Sequence, residues 1–120
     1  MSAVEDAGAP AGTPGGFLQV QTTTDSRAEA VQLASAAVEA RLAACAHVAG
    51  PVASMYWWEG AVERSEEWTL QLKLPAARYD ALAAFIAARH SYDEPEIVAT
   101  PIVAGSDGYL RWLADEAAPE

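Results

Sequence analysis

The most constraining feature of this chain is a pair of extended segments that ends in adjacent aromatic residues. Trp68, Leu70, Leu72 and Leu74 alternate with Thr69, Gln71 and Lys73, the two-residue period of a strand with one face in a core. Ahead of it, Val52-Ala53-Ser54-Met55-Tyr56-Trp57-Trp58 is rich in strand formers. Glu59-Gly60 between the two offers a tight turn. A long hairpin over 46–74 follows, with Gly50-Pro51 expected to bend or bulge it, since proline cannot donate to a ladder. Neighbouring residues on a strand point to opposite faces, so Trp57 and Trp58 cannot both enter one core. Large apolar surfaces left in water mark interfaces, which makes an oligomer with this hairpin as its arm the expectation. The competing reading covers one of these rings with the C-terminal segment around Trp112.

The rest of the chain has to supply the layer that covers the hairpin. Residues 17–24 alternate, with Leu18, Val20 and Thr22 on one face and Phe17, Gln19 and Gln21 on the other. Asp25 or Ser26 offers an N-cap, and a helix is expected over 27–44, with Val31, Ala34, Val38 and Leu42 as its apolar stripe. Pro75 suits the first turn of a second helix over 75–89, in which Tyr79, Leu82, Phe85 and Ile86 share a face. Residues 96–104 read as a last strand, at an edge because of Pro101. A short terminal helix is expected over 109–113. The order β-α-β-β-α-β is that of a ferredoxin-like α+β sandwich, with a long hairpin between its second and third strands and a short C-terminal helix.

Composition sets the boundaries and removes whole classes of function. In residues 1–16, ten of the sixteen are Ala, Gly or Pro, which predicts a disordered, dispensable tail ahead of a domain over 17–114, with a frayed end over 115–120. No run approaches about 18 apolar residues, so no membrane span is expected. Seven basic residues face 17 acidic ones, a net charge of −10, and one lysine, Lys73, is present. Binding to nucleic acid is disfavoured, because neutralising phosphates takes clustered Lys and Arg. The single cysteine, Cys45, excludes an internal disulfide and points to a reducing, cytoplasmic setting. No nucleophile motif, phosphate loop or HExxH is present, which argues against an enzyme.

The strings Ala43-Ala44-Cys45, Tyr56-Trp57-Trp58-Glu59-Gly60, Lys73, His90-Ser91-Tyr92-Asp93-Glu94-Pro95-Glu96 and Tyr109-Leu110-Arg111-Trp112 resemble the CutA divalent-cation tolerance family, in family order and over roughly 17–113. The resemblance implies a ferredoxin-like subunit, a homotrimer, a cytoplasmic location and a role in tolerance to copper and other divalent cations. It also implies copper ligands at three positions, which here hold Thr22, Arg89 and His90, with Ser91 where a proline is usual. A hydroxyl is a poor copper ligand beside a thiolate. His90 alone remains as a metal-ligand candidate, set against a role as a helix cap.

Two function classes remain. One is a trimeric, non-catalytic protein of divalent-cation tolerance or response, binding copper or another divalent cation. The other is a PII-like trimeric small-molecule sensor or signalling adaptor, with an inter-subunit cleft lined by Trp58, Glu59, Lys73, His90, Tyr92 and Tyr109. An acylphosphatase-like enzyme lacks its phosphate loop here, and a metallochaperone lacks its MxCxxC. Cys45, set among alanines, reads as a buried structural cysteine. Cys45 and His47 share a strand face but offer only two ligands. Glu63, Glu66 and Glu67 read as a solvated stretch that guards the hairpin against aggregation.

Overall fold

A computed structural model describes residues 16–119. The elements run β1 (Phe17–Thr24), α1 (Arg27–Glu39), β2 (Cys45–Trp58), β3 (Ala61–Pro75), a 3-10 turn (Ala76–Arg78), α2 (Tyr79–Arg89), β4 (Val98–Ile102) and α3 (Asp107–Glu116). The strands form one sheet in the order β2-β3-β1-β4, every pair antiparallel, which is the ferredoxin-like arrangement. The expected tail over 1–16 lies outside the described residues, apart from Gly16.

Strand pleat assigns the two faces. Val20, Leu70 and Leu72 pair across β1 and β3 with Leu18, Thr22 and Leu74, and this face carries α1 and α2. Its core is Val20, Leu33, Ala37, Leu42, Ala43, Leu70, Leu72, Leu74, Leu82 and Ile86. The opposite face is not left fully open. α3 crosses one end of it and buries Leu110, Leu113 and Ala117 against Phe17 and Ala44, a second and smaller core. β1 is therefore apolar at Phe17 on one face and at Val20 on the other.

The hairpin is as long as the alternation implies. Trp58 pairs with Ala61 across Glu59 and Gly60, whose φ values of 49° and 82° are those of a two-residue turn that suits twisted strands. The register shifts between Ala49 and Val52, at Gly50-Pro51. Gly50 has φ +152°, and a Cβ there would stand 2.7 Å from the Trp68 ring, so no other residue fits that bend.

Several expectations need correction. α1 stops at Glu39, because Arg41 takes a left-handed φ of 61° and closes the helix, with Leu42 N–H donating to Ala37 O and Arg41 N–H to Val38 O. The buried stripe of α1 is Ala30, Leu33 and Ala37, while Val31 is 37% exposed. With alanine on every side, side-chain size gave a misleading phase. Pro75 ends β3 rather than opening α2, and the intervening turn is 3-10. β4 is shorter than the expected 96–104. The terminal helix is longer than 109–113, and Ala117 is fully buried. Trp112 does not shield the hairpin aromatics; it stacks on Tyr109 at 5.6 Å.

Candidate functional site

The side chains singled out in the sequence fall at three stations along β3. At the far end, Trp58 and Glu59 sit at the hairpin tip, facing Ala61. In the middle, Glu67 receives the Tyr92 hydroxyl at 2.8 Å. At the near end, Lys73 pairs with Cys45, whose Sγ lies 3.3 Å from the Tyr109 hydroxyl. Six residues of strand separate each station from the next, about 20 Å at roughly 3.3 Å per residue. One copy of the chain therefore sets Lys73 beside Cys45, which meets Tyr109, and brings His90 together with Tyr92, but it carries neither group to Trp58 or Glu59.

The middle station is built where α2 ends beside the end of β1. His90 caps α2, its N–H donating to Ile86 O. Its side chain is fully buried. Nε2 lies 2.8 Å from Thr23 O and Nδ1 accepts the Tyr92 N–H at 3.0 Å, so the ring is a neutral tautomer with both nitrogens engaged. Glu29, from the first turn of α1, stands 3.6 Å from Nδ1 and accepts both the N–H and the hydroxyl of Ser91. Burial, followed by the Glu67 carboxylate, holds the Tyr92 hydroxyl well above the usual phenol range. Glu67, expected in solvent, is 7% exposed, a correction that follows from its Tyr92 partner 25 residues away. Nothing local in the sequence signals that pairing.

The proposed copper positions do not assemble a copper site here. Thr22 is fully buried on the core face and its hydroxyl has no partner. The Arg89 guanidinium lies over the Phe85 ring at 3.6 Å, and a guanidinium offers no lone pair. His90 has neither ring nitrogen to spare. No group of three or more His, Cys, Asp or Glu side chains among the described residues could hold a metal ion.

At the near station, Cys45 is only partly buried, against the expectation of a core thiol. It lies on the face that α3 crosses, in line with Lys73 and Gln19. The hydrogen bond to Cys45, reinforced by desolvation, pushes the Tyr109 phenol up to about 12. His47 follows Cys45 on the same face and is exposed. No helix of the described residues is long and apolar enough to cross a membrane.

Fold and site together define a small α+β sandwich with a projecting aromatic hairpin and several polar clusters spaced along it. The chain belongs to the CutA1 divalent ion tolerance protein family, which matches residues 18–116. It is 37% identical over 94 residues to the rice protein "Protein CutA 1, chloroplastic", covering 78% of this chain and 53% of that one. It is 38% identical over 96 residues to the Thermus thermophilus divalent-cation tolerance protein CutA, covering 80% of this chain and 93% of that one. The chain thus spans about half the length of the plant relative and nearly all of the bacterial one. Among solved structures, the Thermus thermophilus protein superposes with a TM-score of 0.81 at 37% identity, covering 83% of this chain and 97% of the other. A periplasmic divalent cation tolerance protein CutA from Archaeoglobus fulgidus gives 0.82 at 30% identity, over 85% and 99%.

Proposed function

We propose that this protein is a non-catalytic homotrimer acting in divalent-cation tolerance, copper among the cations, and that its ligand cleft forms between copies. The observation that carries this reading is the hairpin. Trp57 is 75% exposed and Trp58 59%, on opposite faces of a two-stranded arm, with Met55 and Val62 exposed beside them. Such an arm is not stable in water on its own and has to lie against another copy. In doing so it can carry Trp58 and Glu59 of one copy to Lys73 and Tyr109, or to His90 and Tyr92, of the next. The role in cation tolerance rests on family membership. The non-catalytic reading rests on the sequence, which carries no nucleophile motif, phosphate loop or HExxH. A cytoplasmic setting fits the single cysteine.

The test is the mass by light scattering, expected at three times the 12.6 kDa chain. A monomer at micromolar concentration rejects both the trimer and the shared cleft. Calorimetry with Cu(II) and Zn(II) tests cation binding directly. A second reading, a PII-like small-molecule sensor or signalling adaptor, is favoured by one observation: Lys73 and Tyr109, two hydrogen-bond donors, flank Cys45 at the near station.

A further inference from the structure

The face of the sheet away from α1 and α2 is laid out in rows by the strand register. Phe17 and Ile102 form the first row and are covered by α3. The second row is Thr100, Gln19, Lys73 and Cys45, with the Tyr109 hydroxyl at its end. The third is Val98, Gln21, Gln71 and His47. The third row is already linked up: Gln71 donates to Gln21, and Gln21 donates to the Glu96 carboxylate at 3.0 Å. In the second row Cys45 meets Tyr109 and the Thr100 hydroxyl donates to the Gln19 backbone carbonyl, which leaves the Lys73 and Gln19 side chains. Among the described residues, Lys73 makes no ion pair, and the Gln19 side-chain amide has no hydrogen-bond partner.

Chemically, the second row is a set of donors. It holds an ammonium with three protons, an amide with two, two hydroxyls and a thiol, and no carboxylate. Among the described residues, no Asp or Glu forms an ion pair with Lys73, the one lysine of the chain. A cation finds no carboxylate here and meets the Lys73 ammonium. An oxygen anion finds one full charge and two neutral donors, and charge-assisted hydrogen bonds are the strong ones. The phenol remains protonated across the whole neutral range, so it is a donor rather than a competing anion. The phenol that is pushed up by Cys45 is donating to Sγ, and an anionic oxygen is a stronger acceptor than a thiol sulfur, so the proton can turn from Cys45 to the ligand.

Resting on the reading of a ligand cleft at Lys73 and Tyr109, we propose that this cleft takes a small oxyanion, a carboxylate- or phosphate-bearing molecule, held by the Lys73 ammonium, the Gln19 amide and the Tyr109 hydroxyl.

The experiment is calorimetric titration of the full chain with citrate and, separately, with inorganic phosphate, against a chloride control of matched ionic strength. Binding of either above the control is expected, and the stronger arm tells carboxylate from phosphate. Lys73→Met keeps the aliphatic stem and removes the charge, and should weaken that binding roughly tenfold or more. Tyr109→Phe should weaken it several-fold and serves as the second variant if Lys73→Met does not fold. Wild-type protein that binds no oxyanion above the control overturns the proposal, as does a Lys73→Met protein that binds as well as wild type. A Lys73→Met protein that loses trimer mass, from a wild type that binds no oxyanion, shows instead that Lys73 pairs with an acidic side chain of another copy. Light scattering keeps the two ideas apart. A trimer without oxyanion binding removes this inference and leaves the shared cleft. A monomer that binds oxyanion through Lys73 does the reverse.

Discussion

His90 carries the largest change of meaning between sequence and structure. At the end of a helix, beside acidic residues, a histidine can be a ligand, a switch or a cap. Here its ring is fully buried, with both nitrogens bonded to backbone groups. His90→Ala should therefore lower stability by about 2–4 kcal/mol, through a cavity and two orphaned backbone groups. Chemical denaturation measures this, and the Cu(II) isotherm of the folded variant should match wild type. A large loss of copper binding at unchanged stability would restore the metal-ligand reading. The two restrained phenols predict alkaline behaviour. Tyr109 titrates near 12 when folded, against 10.0 when unfolded, so the folded state keeps its proton longer. Its contribution to stability is present below pH 10 and is lost as pH rises from 10 towards 12. Tyr92 is raised in the same direction, by burial and by Glu67. Melting temperatures should fall steeply above pH 10, and Tyr92→Phe with Tyr109→Phe should flatten that fall while lowering stability near neutral pH. Unchanged slopes in the double variant would show that neither phenol is responsible.

Individual helices and strands were legible to differing degrees, for physical reasons. The hairpin, the capped start of α1 at Ser26 and the apolar face of α2 could be read because bulky residues mark their phase. The phase of α1 could not, because alanine occupies both its buried and its exposed positions. Leu33 is 4% exposed and Val31 37%. Leu33→Ala should therefore cost about 2–4 kcal/mol and Val31→Ala less than about 1 kcal/mol. Equal costs would mean the helix is rotated from this packing. In the hairpin, Gly50→Ala should destabilise by about 2–3 kcal/mol, since the added Cβ meets both a ring carbon of Trp68 and the Glu67 carbonyl oxygen. Thermal unfolding checks this, and a neutral outcome would show that the strand relaxes at the bulge.

For the molecule as a whole, the prediction concerns the arm. Trp57 and Val62 face each other across the hairpin and are 75% and 53% exposed, so they contribute little to the fold of one copy. Trp57→Ser with Val62→Thr should leave the far-ultraviolet circular dichroism unchanged while the mass drops from three chains towards one. A variant that remains trimeric would move the interface elsewhere. The sequence by itself determined the element order, the sandwich, the two-sided aromatic arm and the family, because each is written in periodicity or in a short contiguous string. Only the tertiary structure decided what the polar side chains do. Glu67 finds Tyr92 25 residues on, Cys45 finds Tyr109 64 residues on, and His90 finds Thr23 67 residues back. Pairings at that range depend on how helices and strands are stacked, and no local pattern encodes them. The same stacking closes α3 over Phe17 and leaves the row of Gln19 and Lys73 open beside it.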